Sequence, residues 1–223
     1  MIQLPDFGKK FEYENNFYLS SDISRISKIL AHYELYKMTS DLPGAIVECG
    51  IFKGASFIRF ATFRDVFGNS YSHKIIGFDT FSSFQETNFD EDQKYRDDFI
   101  KSAGEQSISR EQLIEVLKKK GIENNVELVE GDINITIPKY LKENPHLKIS
   151  LLNLDTDIYE PAVTILKYLW PRIVKGGILI LDDYGTFPGE TKAVDEYFKD
   201  RDVKILKFPF AMTPCYIFKE NFE

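Results

Sequence analysis

The fold class is decided by residues 149–183, which read ISLLNLDTDIYEPAVTILKYLWPRIVKGGILILDD. Runs 149–154 and 177–181 are almost wholly apolar, and residues 160–170 between them show helical spacing, with Pro161 tolerated in the first turn. Strands that lack apolar-polar alternation are covered on both faces, as in a parallel sheet between helices. The segment therefore predicts two parallel strands joined by a crossover helix.

The same alternation of strands and helices extends over the rest of the chain. Strands are predicted at 45–49, 74–79 and 126–131, and helices at 55–66, 109–121, 134–143 and 191–200. An earlier helix follows Ser20 and Ser21, which offer N-caps, and ends at Pro43-Gly44. Segments 203–208 and 214–219 leave no room for a helix between them and predict a closing hairpin. We expect a Rossmann-like α/β fold, a mostly parallel sheet with helices on both faces.

The composition excludes several classes of function. Of the 223 residues, 28 are Lys or Arg and 35 are Asp or Glu, so the net charge is −7. An acidic chain is a poor partner for nucleic acid, and no apolar run approaches the ~20 residues that span a bilayer. The N-terminus has no signal-peptide pattern, and Cys49 has the surroundings of a buried thiol in a reducing compartment. The sequence predicts a cytoplasmic protein that binds neither nucleic acid nor membranes.

Two regions stand apart from the α/β alternation. Residues 1–40 hold an aromatic-rich arm, a candidate lid or a packing segment, together with the first helix, whereas 41–223 form the α/β domain. Residues 86–98, ETNFDEDQKYRDD, carry six acidic and two basic side chains and predict a solvated loop or helix above the sheet. The aromatic arm needs a surface on which to pack, from which we predict a homodimer.

Polar and glycine residues follow the first three predicted strands, where open α/β sheets bind ligands. Gly50 and Gly54 suit either close approach of a ligand or a tight strand-to-helix turn. Asp79 ends the second strand, and its carboxylate can accept ribose hydroxyls or cap the next segment. Gly131 and Asp132 follow the third strand, and Asp132 can accept from an amino group or cap a helix.

Four aspartates follow the two strands of the opening segment. Asp155 and Asp157 come after the fourth strand, and Asp182 and Asp183 follow the fifth. If these strands are neighbours, four carboxylates meet at one edge of the sheet, and buried like charges repel unless a cation neutralises them. Oxygen ligands favour a hard divalent cation such as Mg²⁺. Asp157 can alternatively cap the next helix, and the three histidines have no spacing that indicates zinc.

Five segments occur in the order found in a known family. They are GAIVECGIFKGAS (44–56), IIGFDTFSSF (75–84), VELVEGDINITIP (126–138), LLNLDTDIYEP (151–161) and GGILILDDYGTFPGETKAVDEYF (176–198). Over about residues 40–200 the sequence resembles the macrocin O-methyltransferases, which use S-adenosylmethionine and Mg²⁺ to methylate sugar hydroxyls of natural products. The resemblance implies a seven-stranded sheet with an antiparallel last strand, and it makes 41–223 an S-adenosylmethionine-dependent methyltransferase domain.

The resemblance also implies roles for individual residues. Asp155, Asp182 and Asp183 would bind Mg²⁺ or Mn²⁺, and the catalytic pair would be Asp155 and Asp157, with Asp157 as the general base. The predicted cofactor site comprises Glu48, Gly50, Phe52, Gly54, Ser56, Asp79, Gly131, Asp132 and Asp155. The predicted acceptor is a hydroxyl of a sugar or similar small metabolite, and a nitrogen acceptor is the other option.

Two further hypotheses compete with methyl transfer. Asp155 and Asp157 can be a metal-binding D-x-D pair for glycosyl or phosphoryl transfer, but no phosphate-binding loop accompanies them. A non-catalytic binding domain is the third class, and four acidic groups at one site argue against it because unpaired buried charge is costly to retain.

Overall fold

The computed structural model describes residues 2–220, and these contain seven strands: β1 Ala45–Cys49, β2 Ile75–Asp79, β3 Val126–Glu130, β4 Ile149–Leu154, β5 Ile173–Leu181, β6 Leu206–Lys207 and β7 Cys215–Phe218. They form one sheet in the order β3-β2-β1-β4-β5-β7-β6. Strands β1 to β5 are parallel, and β7 is antiparallel to both β5 and β6. The predicted fold class, including the closing hairpin, is confirmed.

Helices cover both faces of this sheet. In the described part of the chain they are α1 Lys10–Ser20, α2 Ile23–Thr39, α3 Ala55–Phe67, α4 Asp90–Ala103, α5 Arg110–Lys120, α6 Ile133–Glu143, α7 Tyr159–Leu169 and α8 Pro188–Phe198. Every residue of β4 and residues 177–181 of β5 are buried, as the lack of alternation predicted, and every residue of β1 and β2 is buried as well. The apolar core accordingly divides into two clusters, one on each face of the sheet.

The strand order places a ligand crevice between β1 and β4. From β1 the chain proceeds outward through β2 and β3 and then returns to add β4 and β5 on the other side. Such a reversal opens a crevice at the carboxyl ends of the two central strands. The segments that follow β1, β2, β4 and β5 therefore meet at one end of the sheet.

Some local predictions need correction. Ser20 and Ser21 do not cap α2, because Asp22 does so by accepting from the Ser24 amide at 2.8 Å, while Ser21 donates back to the Phe17 carbonyl and closes α1. The strand predicted over 203–208 is reduced to β6, an exposed edge strand that pairs only with β7.

The two unusual regions are both helical. The acidic segment 86–98 contributes to α4, and α1 has no buried residue.

Both cysteines are free and buried. Within residues 2–220, no helix has the length and apolar character that crossing a membrane requires.

Candidate active site

Three aspartates converge where β4 and β5 end. Leu154 pairs with Leu181 in neighbouring parallel strands, and the Asp182 amide donates to the Leu154 carbonyl at 3.0 Å. The side chains that follow are thereby held side by side. One carboxylate oxygen from each of Asp155, Asp182 and Asp183 lies within 4.8 Å of the other two. Of the four aspartates that the sequence predicted at this edge, these three meet in one cluster.

The donor set of this cluster fits a divalent cation. Asp182 is only 2% exposed, and its Oδ1 has no hydrogen-bond partner in the described part of the chain. The buried Oδ2 of Asp183 is equally unpartnered there. Burial, followed by the charge of Asp182, raises the pKa of Asp155, and burial, followed by the charge of Asp157, raises the pKa of Asp183. Unpaired carboxylate oxygens in this arrangement are the ligands that Mg²⁺ or Mn²⁺ takes.

Helix α2 adds two residues that the sequence analysis did not identify. Lys28 donates from Nζ to Asp182 Oδ2, and His32 Nε2 lies 3.6 Å from Asp182 Oδ1. Burial opposes ionisation of Asp182, but the Lys28 ammonium and His32 hold its pKa below the usual range. The two residues are one helical turn apart, which was visible in the sequence, but only the packing of α2 shows that they face the cluster.

His32 is held in one tautomer. It is fully buried and stacks on Phe60, with ring centroids 4.9 Å apart. Arg59 can only donate, and its guanidinium lies 2.9 Å from Nδ1 of His32. Burial lowers the pKa of His32 to about 4. The neutral ring therefore accepts at Nδ1 and carries its hydrogen on Nε2, toward Asp182.

Asp157 is not a helix cap. The N-cap of α7 is Ile158, which makes no side-chain capping bond, and the Tyr159 amide donates to Asp92 instead. Asp157 has a left-handed φ of 62°, and its carbonyl accepts from the Glu190 amide at 3.1 Å. Burial, with the nearby Asp155 charge, raises the pKa of Asp157 to about 8. Burial and the neighbouring negative charge thus favour the protonated form of this carboxyl group.

The crevice beside β1 and β4 is a cavity of about 230 Å³, here called the strand-end cavity. Five residues predicted to bind a cofactor line it: Gly50, Phe52, Asp79, Asp132 and Asp155. A Cβ on Gly50 would lie 1.7 Å from the Asp155 carbonyl oxygen, so only glycine fits at this turn.

Asp79 and Asp132, which line this cavity, have structural hydrogen-bond partners as well. Asp79 Oδ2 accepts from the amides of Ile51 at 2.6 Å and Phe52 at 3.1 Å, and Oδ1 accepts from the Phe81 amide at 2.6 Å, so only Oδ1 has room for a further donor. Asp132 caps α6 by accepting from the Asn134 amide at 2.8 Å. For both residues the capping alternative is observed, and it is compatible with a place on the cavity wall.

The other predicted cofactor residues do not line the strand-end cavity. Glu48 is 1% exposed and accepts from Ser56 Oγ at 2.7 Å, so it holds α3 against β1. Gly54, with a left-handed φ of 83°, is the N-cap of α3, and Gly131 has a φ of 132° in the turn before α6. These residues shape the turns from behind the cavity wall.

A second cavity, of about 530 Å³, lies on the other side of the aspartates and is called the charged cavity. Asp155 and Asp157 line both cavities, and Ser56 lines this one. The remaining charged residues of its wall are Arg25, Lys28, Lys53, Arg59, Asp182 and Asp183. The acidic cluster therefore stands at the junction of two spaces, each of which can hold a ligand.

Helix α4 closes over the loops that carry the aspartates. Asp92 accepts from the Tyr159 amide at 2.9 Å and from the Gly189 amide at 2.7 Å, which are first-turn amides of α7 and α8. Glu160 accepts from Thr87 Oγ1 at 3.1 Å and from the Asn88 amide at 2.8 Å. The acidic insertion was predicted only as a solvated segment, and no local pattern indicated that Asp92 is buried between two helices.

Comparison with known proteins agrees with this geometry. Residues 25–210 match the sequence profile of the macrocin-O-methyltransferase (TylF) family. The chain belongs to the macrocin O-methyltransferase family. This match confirms the family resemblance found in the sequence.

Individual relatives of this family member are more distant. The 8-demethyl-8-(2,3-dimethoxy-alpha-L-rhamnosyl)-tetracenomycin-C 4'-O-methyltransferase of Streptomyces olivaceus is 26% identical over 149 residues, which are 66% of this chain and 55% of that protein. The chain thus spans about half the length of this curated relative. The calicheamicin methyltransferase CalS11 aligns with a TM-score of 0.74 and 27% identity over 95% of this chain and 86% of its own. The O-methyltransferase NovP has the same fold, with a TM-score of 0.73 and 22% identity over 89% of this chain and 80% of its own.

Proposed function

We propose that this family member is a divalent-metal-dependent methyltransferase that moves a methyl group from S-adenosylmethionine to a hydroxyl of a sugar or sugar-bearing small molecule. One observation carries the proposal. Three aspartate oxygens lie within 4.8 Å of one another at the junction of two cavities, and two of the buried oxygens lack a partner within residues 2–220. Methyl transfer needs a donor on one side and an acceptor on the other, and the cluster stands between them.

The strand-end cavity is the proposed cofactor site. Asp79 lines this cavity, and its Oδ1 has room to accept a ribose hydroxyl, while Gly50 leaves room for the cofactor beside the β1 turn. S-adenosylmethionine carries its methyl group on a positively charged sulfur, so its leaving group is already activated. The cavity therefore has to align the methyl group with the acceptor oxygen.

The acidic cluster is the proposed metal site, and Asp157 is the proposed base. Asp155, Asp182 and Asp183 would hold the ion. When bound, Mg²⁺ supplies positive charge that makes an acceptor hydroxyl more acidic. Asp157 lines the charged cavity, where its carboxylate takes the proton as the acceptor oxygen forms its bond to the methyl carbon.

The sugar character of the acceptor follows from relatives. The Streptomyces olivaceus relative is named for a tetracenomycin that carries a rhamnosyl group, and the apo form of CalS11 is described as a TDP-rhamnose 3'-O-methyltransferase. A sugar hydroxyl is common to both. We assign 41–223 to the methyltransferase domain and 1–40 to an N-terminal arm and the helix α2, which lines the charged cavity.

Calorimetry with the full chain tests this proposal. We expect calorimetry to show that S-adenosylhomocysteine binds. Mass spectrometry of sugar-bearing acceptors incubated with the protein, S-adenosylmethionine and Mg²⁺ should show a gain of one methylene group. EDTA should abolish that gain, and added Mg²⁺ or Mn²⁺ should restore it. Binding of a sugar nucleotide without any binding of S-adenosylhomocysteine would contradict the proposal and favour glycosyl transfer through Asp155 and Asp157.

A further inference from the structure

The charged cavity contains three basic side chains that have no acidic partner. Arg25 on α2, Lys53 in the turn before α3 and Arg59 on α3 all line it. Within residues 2–220, none of the three forms an ion pair with Asp or Glu. Lys28, the fourth base of this wall, differs because it is paired with Asp182.

The hydrogen bonds of these three bases do not neutralise them. Arg59 donates to the neutral ring of His32 at 2.9 Å, and Lys53 donates to the Ala103 carbonyl at the end of α4. Hydrogen bonds from Ser24, together with the charge of Arg25, lower the pKa of Asp22, but the Asp22 and Arg25 side chains do not form an ion pair. Three positive charges therefore face the same cavity without a carboxylate in contact.

Two of these charges also repel each other. Burial lowers the pKa of Arg59, the charges of Glu48, Asp182 and Asp155 oppose that effect, and the charge of Arg25 adds to it. Holding like charges together costs free energy unless a counter-charge lies between them. The carboxylates of the cavity are grouped at the cluster of Asp155, Asp182 and Asp183, where a cation belongs. An anionic ligand beside Arg25 and Arg59 relieves the repulsion between them.

We propose that the charged cavity binds an acceptor sugar through a phosphate or diphosphate group held by Arg25, Lys53 and Arg59. This inference rests on the proposed function and specifies its substrate class. Guanidinium groups bind phosphate oxygens in pairs, and an ammonium group adds a point charge. Phe52, Phe99, Phe187 and Met212 line the same cavity and give it apolar surface for the rest of the acceptor.

The test measures anion binding by calorimetry on the full chain in EDTA, so that no metal ion bridges the ligand to the aspartates. Inorganic pyrophosphate is the probe, and Arg25→Gln and Lys53→Gln are the test variants. Lys175→Gln is the matched control, because Lys175 is exposed and lies outside the cavity wall. Each test variant should weaken pyrophosphate binding at least about tenfold, as expected for one charge-assisted contact. The control should bind like the unaltered protein.

Two results would overturn the inference: no pyrophosphate binding by the unaltered protein, or equal affinity in all three variants. S-adenosylhomocysteine affinity, measured on the same samples, reports on the proposed function separately, and it should be unchanged in the three variants. Uridine diphosphate and glucose 1-phosphate distinguish the two sources of phosphate. Tighter binding of uridine diphosphate supports a sugar nucleotide, and tighter binding of glucose 1-phosphate supports a sugar phosphate.

Discussion

Buried acidic groups in two regions of this molecule differ in how their oxygens are used. Asp92 on α4 is fully buried, and both of its oxygens accept backbone hydrogens, from Tyr159 at 2.9 Å and from Gly189 at 2.7 Å. At the β4–β5 edge, Asp182 and Asp183 each keep one buried oxygen without a partner in the part of the chain that is described. A carboxylate that is satisfied by backbone amides stabilises a fold, whereas an unsatisfied one costs free energy until a ligand arrives.

The difference follows from where the two regions get their hydrogen-bond donors. The N-termini of α7 and α8 supply free amides, and Asp92 lies where both can reach it. At the sheet edge the available donors are few, and Lys28 on α2 reaches Asp182 alone. Carboxylate oxygens without a hydrogen-bond partner at the strand edge therefore indicate the candidate metal site. The fully hydrogen-bonded carboxylate of Asp92 instead stabilises the helices around that site.

The largest expected effect concerns Asp157, which lies between the two cavities. Asp157→Asn removes the proton acceptor but keeps a residue that tolerates the left-handed φ of 62°. We expect turnover to fall by about 10²–10⁴-fold, the usual contribution of a general base, while metal and cofactor binding stay near normal. Turnover, measured beside metal affinity, checks this. An unchanged rate would remove Asp157 from the chemistry.

Substitution of Asp92, whose two oxygens are both hydrogen-bonded, should lower the stability of the fold. Asp92→Ala leaves the Tyr159 and Gly189 amides without their acceptor, and each lost partner costs about 1–3 kcal/mol of stability. We expect chemical denaturation to show a free energy of unfolding lower by about 2–6 kcal/mol. Asp92→Asn keeps one acceptor oxygen and should lie between the two. Equal stability of all three proteins would mean that α4 does not hold α7 and α8.

Substitution of Asp182 should have an effect between those of Asp92 and Asp183. Of the three proposed metal ligands, Asp182 is the one that forms an ion pair with Lys28 in the described part of the chain. Asp182→Ala leaves the Lys28 ammonium without its acceptor in a site where that side chain is 23% exposed. We expect the metal-free protein to lose about 1–3 kcal/mol of stability. Urea denaturation in EDTA measures this loss. If the variant is as stable as the unaltered protein, Lys28 is not held by Asp182 in solution.

Asp183 should show the smallest effect, and one of opposite sign. Burial, followed by the charge of Asp157, raises the pKa of Asp183, so ionisation of this group destabilises the metal-free fold above its usual pKa near 3.8. Asp183→Asn removes that cost and should raise the free energy of unfolding at neutral pH by about 1 kcal/mol or more. The same denaturation experiment decides the sign, and a clear loss of stability would make Asp183 a structural residue.

The sequence predicted the parts of the site that follow from strand order. Asp155 and Asp182 each come directly after a buried strand, and parallel neighbours bring such residues together without any further information. Lys28, Arg59 and Asp92 could not be predicted in this way. They reach the site from helices whose orientation depends on packing between distant segments, and the local pattern of a helix shows which face is apolar but not what that face meets.

Metal binding tests the central claim most directly. Protein freed of metal with EDTA and then dialysed is titrated calorimetrically with Mg²⁺ or Mn²⁺, and the titration is repeated with Asp183→Asn and Asp157→Asn. The account predicts that the unaltered protein binds the ion, that Asp183→Asn binds it at least about tenfold more weakly, and that Asp157→Asn binds it like the unaltered protein. Absence of binding by the unaltered protein, or equal binding by Asp183→Asn, would contradict a metal site built from Asp155, Asp182 and Asp183.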